Sequence, residues 1–270
     1  MLKQRIGLIG AGRMATALAK GVLAAGLTAP ENLLAADPSA EARQRFAAAT
    51  GGRGVEDNRE VVRWADVVVL AVKPQSLTAA SAGLADELSD EHLVISILAG
   101  TQLATLDDVL GPRARLIRVM PNTPCLIGCG ASGFCVGRGA TTGDRELVER
   151  LLGAVGLAVE VDEPLLDVVT GLSGSGPAFV YLMIESLIDS GIRLGLTADV
   201  AQCLAVETVR GAAEMVAATG EQPRVLRDQV TSPGGTTAAG LEVLRSRGFR
   251  EAVADAVEAA ARRSAELGAT

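Results

Sequence analysis

Short, uninterrupted apolar runs alternate with amphipathic stretches through the first part of the chain. The runs are Ile6–Ile9, Leu33–Ala36, Val67–Val72, Leu93–Ile97, Leu116–Met120, Ala131–Val136 and Ala158–Val161, and helical patterns such as Arg13–Ala25 and Ala40–Ala49 lie between the early ones. Continuous apolar strands separated by helices predict a parallel sheet covered on both faces. The right-handed crossover rule makes that a doubly wound α/β domain. After Glu163–Pro164 the pattern changes. Residues 165–193, 198–219, 236–246 and 249–267 read as helices rich in Ala, Leu and Val, broken by Gly195, the Gly220–Pro223 turn and Pro233–Gly234–Gly235. The expected division is therefore a dinucleotide-binding domain over 1–163 and an all-helical domain over 164–270.

Composition refines this reading. Apolar residues make up 49% of the 270, but aromatics only 2%, so Ala, Val and Leu must build the core. Small side chains let helices approach closely, which predicts tight helix packing and a subunit interface. The net charge of −7 argues against nucleic acid and anionic membranes as partners, and any anionic ligand must be held by helix starts and loop amides. Cys125, Cys129, Cys135 and Cys203 form no CxxC pair, and the lone His92 cannot complete a zinc site of the usual spacing. The cysteines read as small buried hydrophobes of a reducing compartment. Residues 1–9 read as a strand and not as a secretory leader, and no run of about 18 uncharged apolar residues occurs. A cytoplasmic protein is expected.

The opening segment, Ile6-Gly-Leu-Ile-Gly10-Ala-Gly12-Arg-Met-Ala15, is a strand, a glycine-rich turn and a helix start. Gly10 allows the tight turn, Gly12 admits a pyrophosphate to the backbone, and Ala15 stands where a third glycine is usual. The amides of Arg13 and Met14 and the helix dipole supply positive charge for phosphates. Asp37 ends the second apolar run at about the spacing of an acid that binds adenosine ribose hydroxyls. A carboxylate there repels a 2′-phosphate and leans the cofactor reading to NADH over NADPH, while Arg43 and Arg45, a helical turn or more beyond, pull the other way. Val67–Val72 ends at Lys73-Pro74, on the sheet edge where ligands bind in such folds.

Three clusters rich in Gly, Pro, Ser and Thr remain: Met120–Pro124, Gly171–Pro177 and Val230–Thr237. The last two each precede a helical pattern, so their hydroxyls and free amides offer an anion site without Lys or Arg, although ordinary helix capping explains either one alone. The lysines are Lys3, Lys20 and Lys73, and the helical part holds no Lys and no His. Its one tyrosine, Tyr181, sits in an apolar helix and reads as core. Reducing a ketone needs a proton donor at oxygen. A protonated imine takes hydride without one, and a neutral hydroxyl then suffices to orient the nitrogen. The inventory fits C=N reduction better than C=O reduction.

At these residues the chain resembles the pyrroline-5-carboxylate reductases. The resemblance runs almost the whole length: GxGxMA at the start, AVKP at 71–74, ISILAGT at 95–101, MPNTP at 120–124, GLSGSGPAF at 171–179 and VTSPGGTT at 230–237. It implies reduction of 1-pyrroline-5-carboxylate to L-proline by NADH or NADPH. It also implies a Rossmann-type domain followed by an all-α dimerisation domain, assembled as a homodimer or a ring of dimers. Carried over, Thr237 hydrogen-bonds the ring nitrogen, and Ser232 with the amides of Gly235 and Thr236 holds the carboxylate. The Ser173–Pro177 turn, with Ser175, completes that pocket. Asn58, Ala71, Val72, Lys73, Pro74, Ala99 and Gly100 line the cofactor, and Asn122 faces the nicotinamide. Asp37 departs from the hydroxyl or basic residue of NADPH-preferring members, and Cys125, Cys129 and Cys135 receive no role.

Two other functional classes share parts of this pattern. β-Hydroxyacid dehydrogenases share the two-domain plan and the GxxGxG of Gly171, Gly174 and Gly176, but they then carry Lys and Asn where this chain has Val180 and Ile184. A cofactor-binding regulator without catalysis needs neither intact hydroxyl cluster. Following NADH or NADPH loss with the imine and then with a β-keto acid separates the three.

Overall fold

The computed structural model describes residues 1–268. The strands are β1 Ile6–Ile9, β2 Leu33–Ala36, β3 Arg53–Val55, β4 Val67–Leu70, β5 Leu93–Ser96, β6 Arg115–Met120, β7 Gly130–Val136 and β8 Gly156–Glu160. Between them run α1 Arg13–Ala24, α2 Ala40–Thr50, α3 Asn58–Trp64, α4 Leu77–Ser81, α5 Leu84–Glu87, α6 Leu103–Leu110 and α7 Thr142–Gly153. The C-terminal helices are α8 Leu166–Val169, α9 Gly176–Arg193, α10 Ala198–Thr219, α11 Pro223–Gln229, α12 Thr236–Ser246 and α13 Phe249–Gly268.

The strands form one sheet in the order β3-β2-β1-β4-β5-β6-β7-β8. Chain order reverses across β1 and β4, which places a crevice at the carboxyl ends of those two strands. Side chains alternate between two cores. Ile6, Leu8, Val67 and Val69 face α1, α2 and α7, whereas Ile9, Val68 and Leu70 face α3, α5 and α6. Both faces are covered, so β1, β2, β4 and β5 are buried at every position.

The expected all-parallel sheet is corrected at one strand: β7 runs antiparallel to β6, and β8 then pairs parallel to β7. The link from β6 to β7 holds only a 3-10 turn, Thr123–Ile127, and a parallel crossover needs about a dozen residues or more. β3 was not foreseen, because Arg53-Gly-Val55 is short and largely exposed. β4 stops at Leu70, before the expected Val72. α11 falls where the sequence suggested only a break.

The segment 163–193 is helical throughout, so the Gly171–Pro177 cluster is not the helix start it was expected to be. It contains a π-helical turn, Thr170–Gly174, closed by the Ser175 amide donating to the Thr170 carbonyl at 2.8 Å. Pro177 has no N–H, so the Ser173 carbonyl is released from the helix ladder. The Asn122 amide takes it, with Nδ2 donating at 3.0 Å, while Asn122 Oδ1 accepts from the Ala131 amide at 2.9 Å. Glycine at 174 and 133 permits this packing, because a Cβ there would lie 2.5 Å from Met120 Cε and 2.9 Å from both Val169 methyls.

Contacts divide the chain into two compact units, residues 1–175 with the stretch from Glu258 onward, and residues 176–257. The first unit carries the sheet and the last turns of α13. In the second, Ala201 and Ala205 are the only buried residues. Apolar side chains on its helices stand exposed, among them Leu182, Leu204, Met215 and Val243 at 51 to 63%. A surface that apolar on an isolated chain marks an interface.

Packing also decides the role of Gly21, inside α1. A Cβ at this position would lie 2.1 Å from Val155 Cγ1 and 3.1 Å from the Ala154 carbonyl oxygen. Alanine gains about 1 kcal/mol of helix propensity, but overpacking costs about 1–3 kcal/mol. Gly21→Ala is therefore expected to destabilise the protein by up to about 2 kcal/mol, measured by urea unfolding at fixed protein concentration; an increase in stability would show that the contact relaxes freely.

Candidate active site

The first unit brings the predicted cofactor residues to the carboxyl edge of the sheet. Gly10 closes β1 with φ +98°, and a Cβ there would lie 2.7 Å from the Ala71 carbonyl. The Ala71 amide in turn donates to Ile9. The chain itself thus demands glycine at position 10. Gly12, the N-cap of α1, has φ −74°, and a Cβ added there would meet no atom within 4 Å. Nothing in the chain demands glycine at 12, whereas a pyrophosphate lying against the backbone does. No acidic residue sits in the first turn of α1 and no side chain caps it, so its first amides have no intrahelical partner and face outward. On these grounds the turn fits a dinucleotide.

Asp37 follows β2 and is half-buried. Its Oδ2 accepts from the Ala11 amide at 2.9 Å and its Oδ1 from the Ser39 amide at 2.9 Å, so the carboxylate ties the glycine turn to the start of α2. Arg43 is directed at the main chain, where Nη1 donates to the carbonyls of Asp37 and Pro38 at 2.6 and 3.1 Å. Arg45 pairs with Glu41. It also lines a cleft of about 760 Å³ with Gly12, Arg13, Thr16 and Lys20, a local basic wall in an acidic protein. Lys20 and Thr16 were not singled out from sequence. Thr16 lies three and Lys20 seven residues beyond Arg13, on the helical spacing that would have linked them.

The remaining edge residues fall into two groups. Ala71, Val72, Lys73 and Pro74 follow β4, Lys73 is exposed, and no side-chain partner of Lys73 is found among the described residues. Ala99 is exposed in the loop after β5, and Gly100 beside it is buried with φ +74°. Asn58 opens α3 and spends its Nδ2 on the Ala80 carbonyl at 2.8 Å. Asn122 is different. It is 7% exposed, and both ends of its amide are used inside the fold, so its position at the sheet edge is that of a brace.

The second unit carries the Val230–Thr237 turn. The Thr231 amide and hydroxyl fold back onto Asp228 and Arg227 at the end of α11. Gly234 has φ +71°, and Gly235 is the N-cap of α12 with no side-chain cap. A Cβ at Gly235 would lie 2.3 Å from Ser232 Oγ, so glycine lets the serine hydroxyl fold over the helix start. The Gly235 amide is not free, because it donates to the Ser232 carbonyl at 3.0 Å to close the turn. The open donors are those of Thr236 and Thr237, in the first turn of an eleven-residue helix. Both the exposed Ser232 hydroxyl and the half-buried Thr237 hydroxyl lie at this end.

Other expected placements change. His92 is half-buried, not a surface residue: Nδ1 accepts from the Ser89 amide at 3.0 Å and Nε2 lies 3.1 Å from the Val62 carbonyl, so it braces α3 against β5. Tyr181 is 60% exposed on the apolar face of α9, not core. Of the cysteines, Cys125 and Cys135 are buried and Cys129 and Cys203 exposed. Burial, with Glu163 beside it, pushes the Cys135 thiol up to about 11, so it stays protonated and inert near neutral pH.

Comparison with known proteins agrees with this arrangement. Residues 5–100 match the family described as NADP oxidoreductase, coenzyme F420-dependent, and residues 163–267 match pyrroline-5-carboxylate reductase dimerisation. The pyrroline-5-carboxylate reductase of Methanosarcina acetivorans is 44% identical over 268 residues, covering 99% of both chains. Among solved structures, the Coxiella burnetii pyrroline-5-carboxylate reductase superposes with a TM-score of 0.93 at 36% identity, over 100% of both chains. The Plasmodium falciparum pyrroline carboxylate reductase, solved with NADP bound, superposes with a TM-score of 0.90 at 35% identity, over 99% of both. With a dinucleotide turn at one end and the dimerisation helices at the other, matched over essentially the full length of its relatives, the chain belongs to the pyrroline-5-carboxylate reductase family.

Proposed function

We propose that this chain reduces the C=N bond of 1-pyrroline-5-carboxylate to give L-proline, the closing step of proline biosynthesis, with NAD(P)H as the reductant. The observation that carries the chemistry is the α12 start: open amides at Thr236 and Thr237 with the Ser232 and Thr237 hydroxyls beside them, in a unit without Lys or His. Such a site orients a carboxylate and a charged nitrogen and offers no acid to a ketone.

Bound NAD(P)H supplies the hydride. The turn from Gly10 through Gly12 to Arg13 and Met14 would hold its pyrophosphate, and Asp37 and Asn58 the adenosine ribose. Ala71, Val72, Lys73, Pro74, Ala99 and Gly100 would line it, with Asn122 bracing the nicotinamide end. On the substrate, the Thr237 hydroxyl accepts from the protonated ring nitrogen and fixes the face that is attacked. Ser232 and the Thr236 amide hold the carboxylate, which keeps the anion away from the acidic surface. Ser175 completes the pocket. The iminium already carries its proton, so no side chain has to move one during reduction. The Gly235 amide supports the substrate through the turn it closes.

We read residues 1–163 as the dinucleotide-binding domain and 164–270 as the substrate-binding and dimerisation domain of a cytoplasmic homodimer or ring of dimers. One run, Glu163–Arg193, is long and apolar enough by length and composition to cross a membrane. It carries Glu163, Asp167, Glu185, Asp189 and Arg193 and falls inside the dimerisation match, which supports an interface with a second copy. NADH is the preferred reductant: Asp37 repels a 2′-phosphate, while Arg43 is held on main-chain carbonyls and Arg45 on Glu41.

Three measurements test this reading. Thr237→Ala should lower kcat/KM for the imine about 10- to 100-fold, the worth of a hydrogen bond to a charged group, while NADH affinity stays near that of the wild type. Equal loss of NADH binding would mean that the substrate pocket is misplaced. Gly12→Ala should weaken NADH binding by about tenfold or more while changing stability by less than about 1 kcal/mol, because its methyl meets only the ligand. Finally, kcat/KM should be higher with NADH than with NADPH, and a preference for NADPH above about tenfold would overturn the role given to Asp37.

A further inference from the structure

One guanidinium of the first unit is buried away from the glycine turn. Arg118, in β6, is 3% exposed. Its Nη1 lies 3.1 Å from Glu163 Oε1 and its Nη2 3.9 Å from Asp167 Oδ1. Each carboxylate takes one further donor. Glu163 Oε1 accepts from the Leu103 amide at 2.7 Å, and Asp167 Oδ1 accepts from the Ser264 hydroxyl at 2.7 Å.

Both donors border the same segment. Leu103 opens α6 immediately after the loop that follows β5, and Ser264 lies in the last turns of α13, which rest on that loop. A Cβ at Gly268 would fall 2.3 Å from the Gly100 carbonyl oxygen. A Cβ at Gly100 would lie 3.3 Å from the Ser264 carbonyl oxygen and 3.4 Å from Leu267 Cβ. The loop is thus gripped through Glu163 on one side and through Asp167 and Ser264 on the other, with Arg118 holding both acids. Ala99, between the grips, stays exposed.

Burying an ion pair contributes little net stability, since desolvation offsets the attraction. What the arrangement does contribute is a defined position for a loop that, with a positive-φ glycine, has no ladder of its own. We propose that Arg118, with Glu163, Asp167 and Ser264, is a positioning set for the reaction: it fixes the Ile97–Gln102 loop so that Ala99 and Gly100 present a preformed wall to the cofactor. This rests on the reading of Ala99 and Gly100 as cofactor-lining residues.

The test uses the intact enzyme and two mild variants, Ser264→Ala and the isosteric Asp167→Asn. Three quantities are read: the NADH dissociation constant by fluorescence titration, hydrogen exchange of the amides at 98–103, and the KM for 1-pyrroline-5-carboxylate. In whichever variant keeps the wild-type circular dichroism and oligomeric state, NADH binding should weaken about three- to tenfold, the worth of one such hydrogen bond. Exchange at 98–103 should rise, and the imine KM should stay within about twofold of the wild type. NADH affinity and exchange unchanged in both variants would overturn the inference and leave the cofactor site standing. Failure of NADH to protect 98–103 in the wild type would instead remove the reading of the loop as cofactor-lining, and this inference with it.

Discussion

The anion sites proposed for this chain depend on amide groups that a helix cannot satisfy by itself. The first amides of α1 and of α12 have no intrahelical carbonyl to bond, and each helix begins on a glycine N-cap without a side-chain cap. An overall charge of −7 excludes a general positive field, so the phosphates and carboxylate of the proposed sites would be met by directional donors at short range. The surroundings follow from keeping those donors open. Gly10 presses against Ala71 to aim the first turn, Asp37 anchors Ala11 from the side, and the Gly235 amide is spent on Ser232 so that the turn before α12 holds its shape.

The same economy explains the chemistry. A hydride acceptor that is already protonated needs orientation and charge complementarity, not an acid, and the second unit holds no Lys and no His. Its helices leave their apolar faces open, with Ala201 and Ala205 alone buried, so this unit completes its core only against a partner surface. The match to a dimerisation family over residues 163–267 agrees with that physical requirement. Tyr181, expected in a core and found 60% exposed, belongs to the same apolar surface: the sequence pattern marks it for burial, and one chain alone does not provide the burial.

Much of the framework was legible in the residues. The continuous runs that became β1, β2, β4 and β5 are buried on both faces, which is why they carry no alternation and read clearly. β3 was missed because Arg53-Gly-Val55 lies at the sheet edge and needs little apolar content. The direction of β7 was missed because apolar pattern says nothing about orientation; that follows from the length of the link after Met120. The Gly171–Pro177 cluster was misread as a helix start, since glycine, serine and proline favour caps and also permit a π-turn, and only the neighbouring Asn122 selects between them.

The order of residues therefore determined the strand–turn–helix of the cofactor end, the change to helices after residue 163, and the absence of lysine and histidine from the helical part. Those features depend on local pattern and composition. Tertiary structure alone decided that Asn122 is a brace, that the Gly235 amide is already bonded, that Arg43 turns to main-chain carbonyls, and that Arg118 gathers Glu163, Asp167 and through them Leu103 and Ser264. These are hydrogen bonds and ion pairs between groups up to 97 residues apart. A donor's partner is set by which carbonyl or carboxylate the fold brings within reach, and no spacing along the chain encodes that distance.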